Sequence, residues 1–279
     1  GDGEIRFGAG PATSIQTINQ TTFGPGLTIH RSDANVGSIV INGGSLTNQG
    51  TIRADAGVEI RVTGATGTTF TNAVGGVLAA DGGTLTINRP WSNAGQIVVN
   101  NSTLNLGGSF NTAGIGTINR TGGTINLTGL LDNTGKTLAL DAATGSWNLF
   151  RGTLRRGSLV TSGGAVLVAA QNGTLDGVTL GATIAGVPAS ATVQGNLNSF
   201  TVTGGLTFAN GSLLDLGNAM RLVGDQTLGG DGEIRFREGA GGAGAILNSN
   251  QTIFGPGLTI HRSDANVGSS VISGGSITN

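Results

Sequence analysis

The chain repeats itself at two nested distances, and a fixed internal period decides architecture before any local preference does. The heptapeptide Gly1-Asp-Gly-Glu-Ile-Arg-Phe7 returns as Gly230-Asp-Gly-Glu-Ile-Arg-Phe236, and the stretch from Phe23 to Ser38 returns unchanged from Phe254 to Ser269. The first block recurs at an offset of 229 and the second at 231, so two residues are inserted between the matching blocks, in the Gly/Ala-rich stretch Arg237 to Ala245. A length change there predicts a loop projecting from a stack. On this division residues 1–229 form one complete long unit of a single continuous solenoid, residues 230–279 open the next tandem unit, and no separate second domain is expected.

A shorter period runs through Leu46-Thr-Asn-Gln-Gly50, Phe70-Thr-Asn-Ala-Val74, Trp91-Ser-Asn-Ala-Gly95, Phe110-Asn-Thr-Ala-Gly114 and Leu131-Asp-Asn-Thr-Gly135, at spacings of 24, 21, 19 and 21. Each block opens on a large apolar residue, and four of the five carry Asn two positions later. A turn follows, as in Asp55-Ala-Gly57 and Asp81-Gly-Gly83, and then an alternating run such as Val58-Glu-Ile-Arg-Val62, Thr84-Leu-Thr-Ile87, Thr103-Leu-Asn-Leu106 or Thr124-Ile-Asn-Leu127. Alternation bounded by Gly and Asp is the pattern of a strand with one buried face. No segment carries a helical apolar period.

A unit of short strands and turns cannot bury its own apolar face, so it stacks on copies of itself, with Leu85, Ile87, Leu104, Leu106, Ile125 and Leu127 turned into one core. The expected fold is therefore all-β, a parallel, right-handed β-helix (β-solenoid) of about 20–21 residues per coil and about 13 coils. Coils stacked at about 4.8 Å make each long unit roughly 50 Å of solenoid. Equivalent positions then form columns. Leu46, Phe70, Trp91, Phe110 and Leu131 stack inside, and Asn48, Asn72, Asn93 and Asn133 stack at a bend, where a side-chain amide can donate to one coil and accept from the other. From Trp147 the phrasing changes, but Gly152-Thr-Leu and Gly173-Thr-Leu keep a spacing of 21. Residues 187–195, with Pro188, read as a longer loop.

Composition narrows the function classes. Of 279 residues 53 are Gly, 10% are charged, 4% are aromatic, and Tyr and Cys are absent, which no ordinary mixed domain matches. Recurrent Ile, Leu and Val supply enough apolar surface to exclude disorder. The 14 Lys+Arg against 15 Asp+Glu leave a formal charge of −1, with no electrostatic footprint for nucleic acid. The longest apolar run is about six residues, Ala165 to Ala170, against the roughly 20 that span a bilayer, so no membrane span is expected in this segment. Zero Cys excludes a disulfide framework and is compatible with export.

The succession Gly152-Thr-Leu, Gly173-Thr-Leu-Asp-Gly-Val-Thr-Leu180, Gly224-Asp-Gln-Thr-Leu228, Gly255-Pro-Gly-Leu-Thr-Ile260 and Thr47-Asn-Gln-Gly-Thr-Ile-Arg-Ala-Asp55 resembles the β-strand-repeat proteins of bacterial surfaces. These are similar in style to filamentous-haemagglutinin and autotransporter-passenger solenoids. The resemblance covers essentially the whole chain. It implies a right-handed β-helix, export and an extracellular or cell-surface role, and it transfers no catalytic residue.

Side-chain constellations with a chemical reading are few. Asp55 and Asp81 fall in one turn column, where stacked carboxyls approach the spacing of a retaining glycosidase pair; turn chemistry, with Asn101 in the next coil, is the preferred account. In Leu27-Thr-Ile-His-Arg-Ser-Asp-Ala-Asn35 the alternation buries Leu27 and Ile29 and leaves His30 outward, with residues 31–35 a polar loop; His261 is the same position one long unit later. Gly229-Gly-Asp-Gly-Glu-Ile234 has Ile where a calcium-binding nonapeptide needs Asp. Gly43-Gly44 and Gly204-Gly205 precede no helix, against a phosphate loop. Thr84, Thr103 and Thr124 line one outer face, an ice-binding-like row that Thr86, Asn105 and Asn126 interrupt, and Trp91 reads as core. No catalytic, cofactor-binding or metal-binding residue is assigned, and no cofactor is expected. The function expected is the non-catalytic shaft of a long extracellular tandem-repeat fibre or surface adhesin. Carbohydrate or surface binding is the alternative, and a β-helical polysaccharide-degrading enzyme or an ice-binding solenoid is more distant. Expected partners are neighbouring repeat units of the same longer chain, lateral self-association into fibres, and surface glycans.

Overall fold

A computed structural model describes residues 2–7, 13–31, 37–237, 244–262 and 271–279. Residues 32–35 of the polar loop and 238–243 of the insertion lie outside the described residues. The chain is an all-β parallel β-solenoid of about 11 turns with about 23 residues per turn. The turns are fewer and longer than the short sequence period alone suggests. Contacts divide the chain into two compact units, Gly1–Leu130 and Leu131–Asn279.

In the first unit, Thr28 pairs with Thr51, Thr51 with Val77, Val77 with Gln96 and Gln96 with Thr117, so successive turns advance along the chain by 23, 26, 19 and 21. The longest turn carries six residues, 64–69, between the strands Glu59–Thr63 and Phe70–Asn72. The next turn has only Arg89 and Pro90 there, between Thr84–Asn88 and Trp91–Asn93. Polar turn residues lengthen a coil without disturbing the apolar period. Three strands make one coil, as in Val77–Asp81, Thr84–Asn88 and Trp91–Asn93. Val77–Asp81 belongs to a parallel sheet of six strands, Gly3–Phe7, Leu27–Arg31, Thr51–Ala54, Val77–Asp81, Gln96–Asn100 and Thr117–Thr121.

The expected core residues Leu85, Ile87, Leu104, Leu106, Ile125 and Leu127 are wholly buried. They stand in register, Leu85 with Leu104 and Leu104 with Ile125, so each turn sets its methyl groups on those of the last. At about 25 cal/mol per Å² of apolar area, full burial of one such side chain is worth about 1.5–3 kcal/mol, repeated turn after turn. The interior column also holds: Leu46 pairs with Phe70 and Phe70 with Trp91. The Trp91 and Phe110 rings lie 4.5 Å apart between centroids. Among the described residues the helical content is one 3₁₀ turn, Thr112–Gly114, capped by the Asn111 side chain accepting from the Gly114 amide at 2.8 Å.

In the second unit Thr137 pairs with Ser158, Ser158 with Thr179, Thr179 with Thr207 and Thr207 with Gly229, giving steps of 21, 21, 28 and 22. The step of 28 contains a β-hairpin instead of the expected loop. Ala182–Ile184 and Val187–Ala189 pair antiparallel. The connecting Ala185 and Gly186 both have positive φ, at 48° and 81°, which is the two-residue turn whose twist matches paired strands. Pro188 is tolerated because each strand of this two-stranded sheet is an edge strand. Thr192–Gly195 then rejoins the ladder, with Val193 against Leu167 and Leu214.

The restart of the long repeat lies inside this second unit. Gly232–Phe236 pairs with Ser212–Leu216 on one side and with Leu258–Arg262 on the other. In the first unit Gly3–Phe7 pairs with Leu27–Arg31 in the same register, Gly3 with Leu27 and Phe7 with Arg31, as Gly232 pairs with Leu258 and Phe236 with Arg262. The two-residue difference in offset therefore leaves the paired strands unchanged.

Candidate functional site

The bend column of the first unit is a chain of buried amides. Asn48 Nδ2 donates to Asn72 Oδ1 at 2.8 Å, Asn72 Nδ2 to Asn93 Oδ1 at 2.7 Å, and Asn93 Nδ2 to the Ile115 carbonyl at 2.8 Å. All three residues are buried, so each missing bond would leave a desolvated polar group. Asn48 Oδ1 has no partner, because the preceding position of its column is Phe23. Asn133, also expected here, is fully buried and donates to the carbonyls of Ser158 at 2.8 Å and Arg156 at 3.4 Å.

The carboxylates of the Asp turn column are occupied. Asp55 accepts from Arg53 Nε at 2.6 Å and faces His30 Nδ1 at 2.8 Å, and Asp81 accepts from Asn100 Nδ2 at 2.9 Å. Register corrects one assignment: the residue paired with Asp81 in the next coil is Asn100, not Asn101. Asn101 instead follows Gly82 and precedes Gly122 in a column of positive φ, at 46° against 77° and 73°, which Asn tolerates better than most side chains.

His30 is not a freely solvated side chain. It retains 12% side-chain exposure and stands between two acids, with Nε2 2.7 Å from Glu4 Oε1 and Nδ1 2.8 Å from Asp55 Oδ2. Leu27, expected buried, is half-buried, whereas Ile29 is fully so. His261 repeats the first contact, with Nε2 2.6 Å from Glu233 Oε1. Glu4, His30 and Asp55 are separated by 26 and 25 positions, close to one coil, and that spacing is the signal available in the sequence. Among the described residues no group of three or more His, Asp or Glu side chains is arranged to hold a metal ion.

Thr84, Thr103 and Thr124 do stand in one column, preceded by Glu59. With Gly83, Ser102 and Gly123 they line an open groove of about 370 Å³. Thr86, Asn105 and Asn126, which in the sequence read only as an interruption, form a second ladder beside them. Thr86 Oγ1 donates to Glu59 Oε1 at 3.2 Å, Asn105 Nδ2 to Thr86 Oγ1 at 3.0 Å, and Asn126 Nδ2 to Asn105 Oδ1 at 2.8 Å.

Other singled-out residues have structural employment. Gly43 and Gly44 lie within the strand Ser38–Asn48, where a Cβ would collide with the carbonyl oxygens of Thr17 and Asn19. Gly229 to Ile234 lies within the strand Gln226–Phe236. Trp91 and Trp147 are both buried, but only Trp91 donates its indole N–H, to the Gly107 carbonyl at 3.1 Å; that of Trp147 has no partner. Arg89, unremarked in the sequence, is buried across the stack and donates to the carbonyls of Thr63 at 3.0 Å and Gly44 at 2.7 Å. Burial pushes its guanidinium below the usual arginine range. In the second unit Asp215 holds Arg235 at 3.1 Å, a hydrogen-bonded pairing that pushes the Arg235 guanidinium above its usual range.

Comparison with protein-family models, with curated proteins and with solved structures finds no match to this chain.

Proposed function

We propose that this chain is a structural segment, the shaft of a long extracellular tandem-repeat β-solenoid fibre or surface adhesin of bacterial type, with no catalytic role. One observation carries the reading. The sequence that reopens the long unit, Gly232–Phe236, is stacked directly on Ser212–Leu216 and is followed by Leu258–Arg262 in the register used by the first copy. A junction made of ordinary coil pairing lets tandem units add length without a new interface. The polar side chains support it too, since Asp55, Asp81, Asp215 and the buried asparagines are engaged in bonds between turns. Immunogold labelling of thin sections of cells of the source, with antibody raised against this chain, tests the proposal. Label along filaments at the cell surface is expected, and label confined to the cell interior would overturn it.

The second reading is glycan recognition along the shaft, favoured by the groove edged by Thr84, Thr103 and Thr124 with Glu59 at one end. A row of hydroxyls beside small lining residues suits a neutral polysaccharide laid along the column. Glycan-array binding that disappears in Thr103→Val would support it, and binding unaffected by that change would end it.

A further inference from the structure

The two histidines occupy the same position of successive long units, and in both the ring nitrogens face acceptors on two sides. For His30 these are Glu4 Oε1 at 2.7 Å from Nε2 and Asp55 Oδ2 at 2.8 Å from Nδ1. For His261 they are Glu233 Oε1 at 2.6 Å from Nε2 and the Arg262 carbonyl at 2.9 Å from Nδ1. Carboxylates and carbonyls only accept. A neutral imidazole carries one N–H and can satisfy one of its two contacts, whereas an imidazolium donates from both nitrogens. We propose that this recurring histidine is a proton-binding site that ties adjacent turns together, so that mild acidification tightens the stack once in each long unit.

Three of the four contacts join separate turns, which is what couples the proton to folding, and the fourth, His261 Nδ1 to the Arg262 carbonyl, is local to its own strand. Glu4 lies on Gly3–Phe7, His30 on Leu27–Arg31, and Asp55 directly follows Thr51–Ala54. Glu233 and His261 likewise lie on paired strands. Cations share these columns and oppose a charged ring. Arg6 and Arg53 flank His30 in register, and Arg235 precedes His261. Two of them are answered by acids, Arg53 by Asp55 at 2.6 Å and Arg235 by Asp215 at 3.1 Å. Arg53 Nη2 also stands 3.3 Å from His30 Nδ1, farther than the 2.8 Å of the carboxylate, so the shorter contact decides which way that nitrogen's hydrogen bond runs.

The sign follows from the chemistry. The paired geometry exists only in the stacked state and is complete when the ring is protonated and the acids ionised. Protonating the ring therefore completes the second bond, and removing that proton takes it away.

Hydrogen exchange of the whole 279-residue protein tests this, read as protection factors corrected for intrinsic rate at about pH 5.5 and about pH 8. Segments 27–31 and 258–262 are expected to be roughly three- to tenfold better protected at the lower pH, the scale of one charge-assisted bond at a part-exposed site. His30→Gln should abolish the difference at 27–31 alone, and His261→Gln at 258–262 alone. Equal protection at both pH values, or a pH response that survives these substitutions, overturns the proposal. Should His30→Gln loosen its turn at every pH, Glu4→Gln keeps the ring and removes one acceptor charge. It is expected to shrink the response at 27–31, and an undiminished response there also overturns the proposal.

Discussion

The two units build one kind of coil with different side-chain devices. In Gly1–Leu130 amide ladders run from turn to turn, inside through Asn48, Asn72 and Asn93 and outside through Asn105 and Asn126, beside the Glu4–His30–Asp55 contacts. In Leu131–Asn279 the buried Asn133 bonds to the Ser158 and Arg156 carbonyls and not to another Asn, and ion pairs link turns beside it: Arg155 and Asp176 meet at 3.2 Å, and Arg235 and Asp215 at 3.1 Å. The apolar columns are common to both. The lesson is that methyl stacking defines the solenoid, while the polar link between turns can be changed without changing the fold. An amide column relays from turn to turn because each Asn both donates and accepts. A carboxylate only accepts, so the column through Asp176 gathers bonds from Arg155 at 3.2 Å and Thr203 at 3.1 Å and passes none on.

The sharpest way to break that comparison is to cut the relay. Asn72→Ala removes the acceptor of Asn48 and the donor to Asn93, and is expected to cost about 2–4 kcal/mol in urea unfolding, with faster amide exchange in both flanking turns. Asn133→Ala, which loses its bonds to the Ser158 and Arg156 carbonyls, should cost about 1–2 kcal/mol with a local exchange change. Equal spread of exchange in the two variants would deny the relay.

Next in size is the ion pair. Asp215 is 8% exposed and Arg235 33%, so Asp215→Ala leaves a half-shielded guanidinium without its acid and is expected to lower stability by about 1–2 kcal/mol after screening. High salt should narrow the gap between wild type and variant here and leave Asn72→Ala untouched.

The two tryptophans give a smaller contrast. Trp91→Phe gives up a buried hydrogen bond and Trp147→Phe removes an indole N–H that had none, so the first should cost about 1 kcal/mol more than the second by thermal unfolding. Smallest is the Asp141 turn. Bonds from the Thr144 amide and hydroxyl and the Ala143 amide hold its carboxyl below the usual aspartate range. A depressed folded value means the turn's contribution is present above the ordinary aspartate value of about 3.9 and is lost as pH falls through the folded value. The Ala143 and Thr144 amide resonances should move together in that acid window, and Asp141→Asn should abolish the movement.

Much of the fold was legible in the sequence because stacking converts a period into columns. The alternating runs at residues 84–87, 103–106 and 124–127 located the core, and Asn two residues after a large apolar residue located the amide relay. Coil length was less legible. The extra residues at 64–69 are polar and small in composition, so they lengthen a turn while leaving the apolar pattern intact. The 182–189 hairpin was hidden because Ala185-Gly186 lacks the Asn-Gly signature of its turn and Pro188 argues against a strand. The charged cluster was hidden for another reason: Glu4, His30 and Asp55 each look like isolated surface residues until the coil length is known closely enough to superpose them.

We propose that tandem copies extend the solenoid without thickening it, because the long unit restarts in ordinary coil pairing, Gly232–Phe236 with Ser212–Leu216 and with Leu258–Arg262. Small-angle scattering of proteins carrying one, two and three copies of residues 1–229 measures this directly. A constant cross-sectional radius with roughly 50 Å of added length per unit is expected from a turn spacing of about 4.8 Å. A cross-section that grows with each copy, or a length that does not, would contradict it.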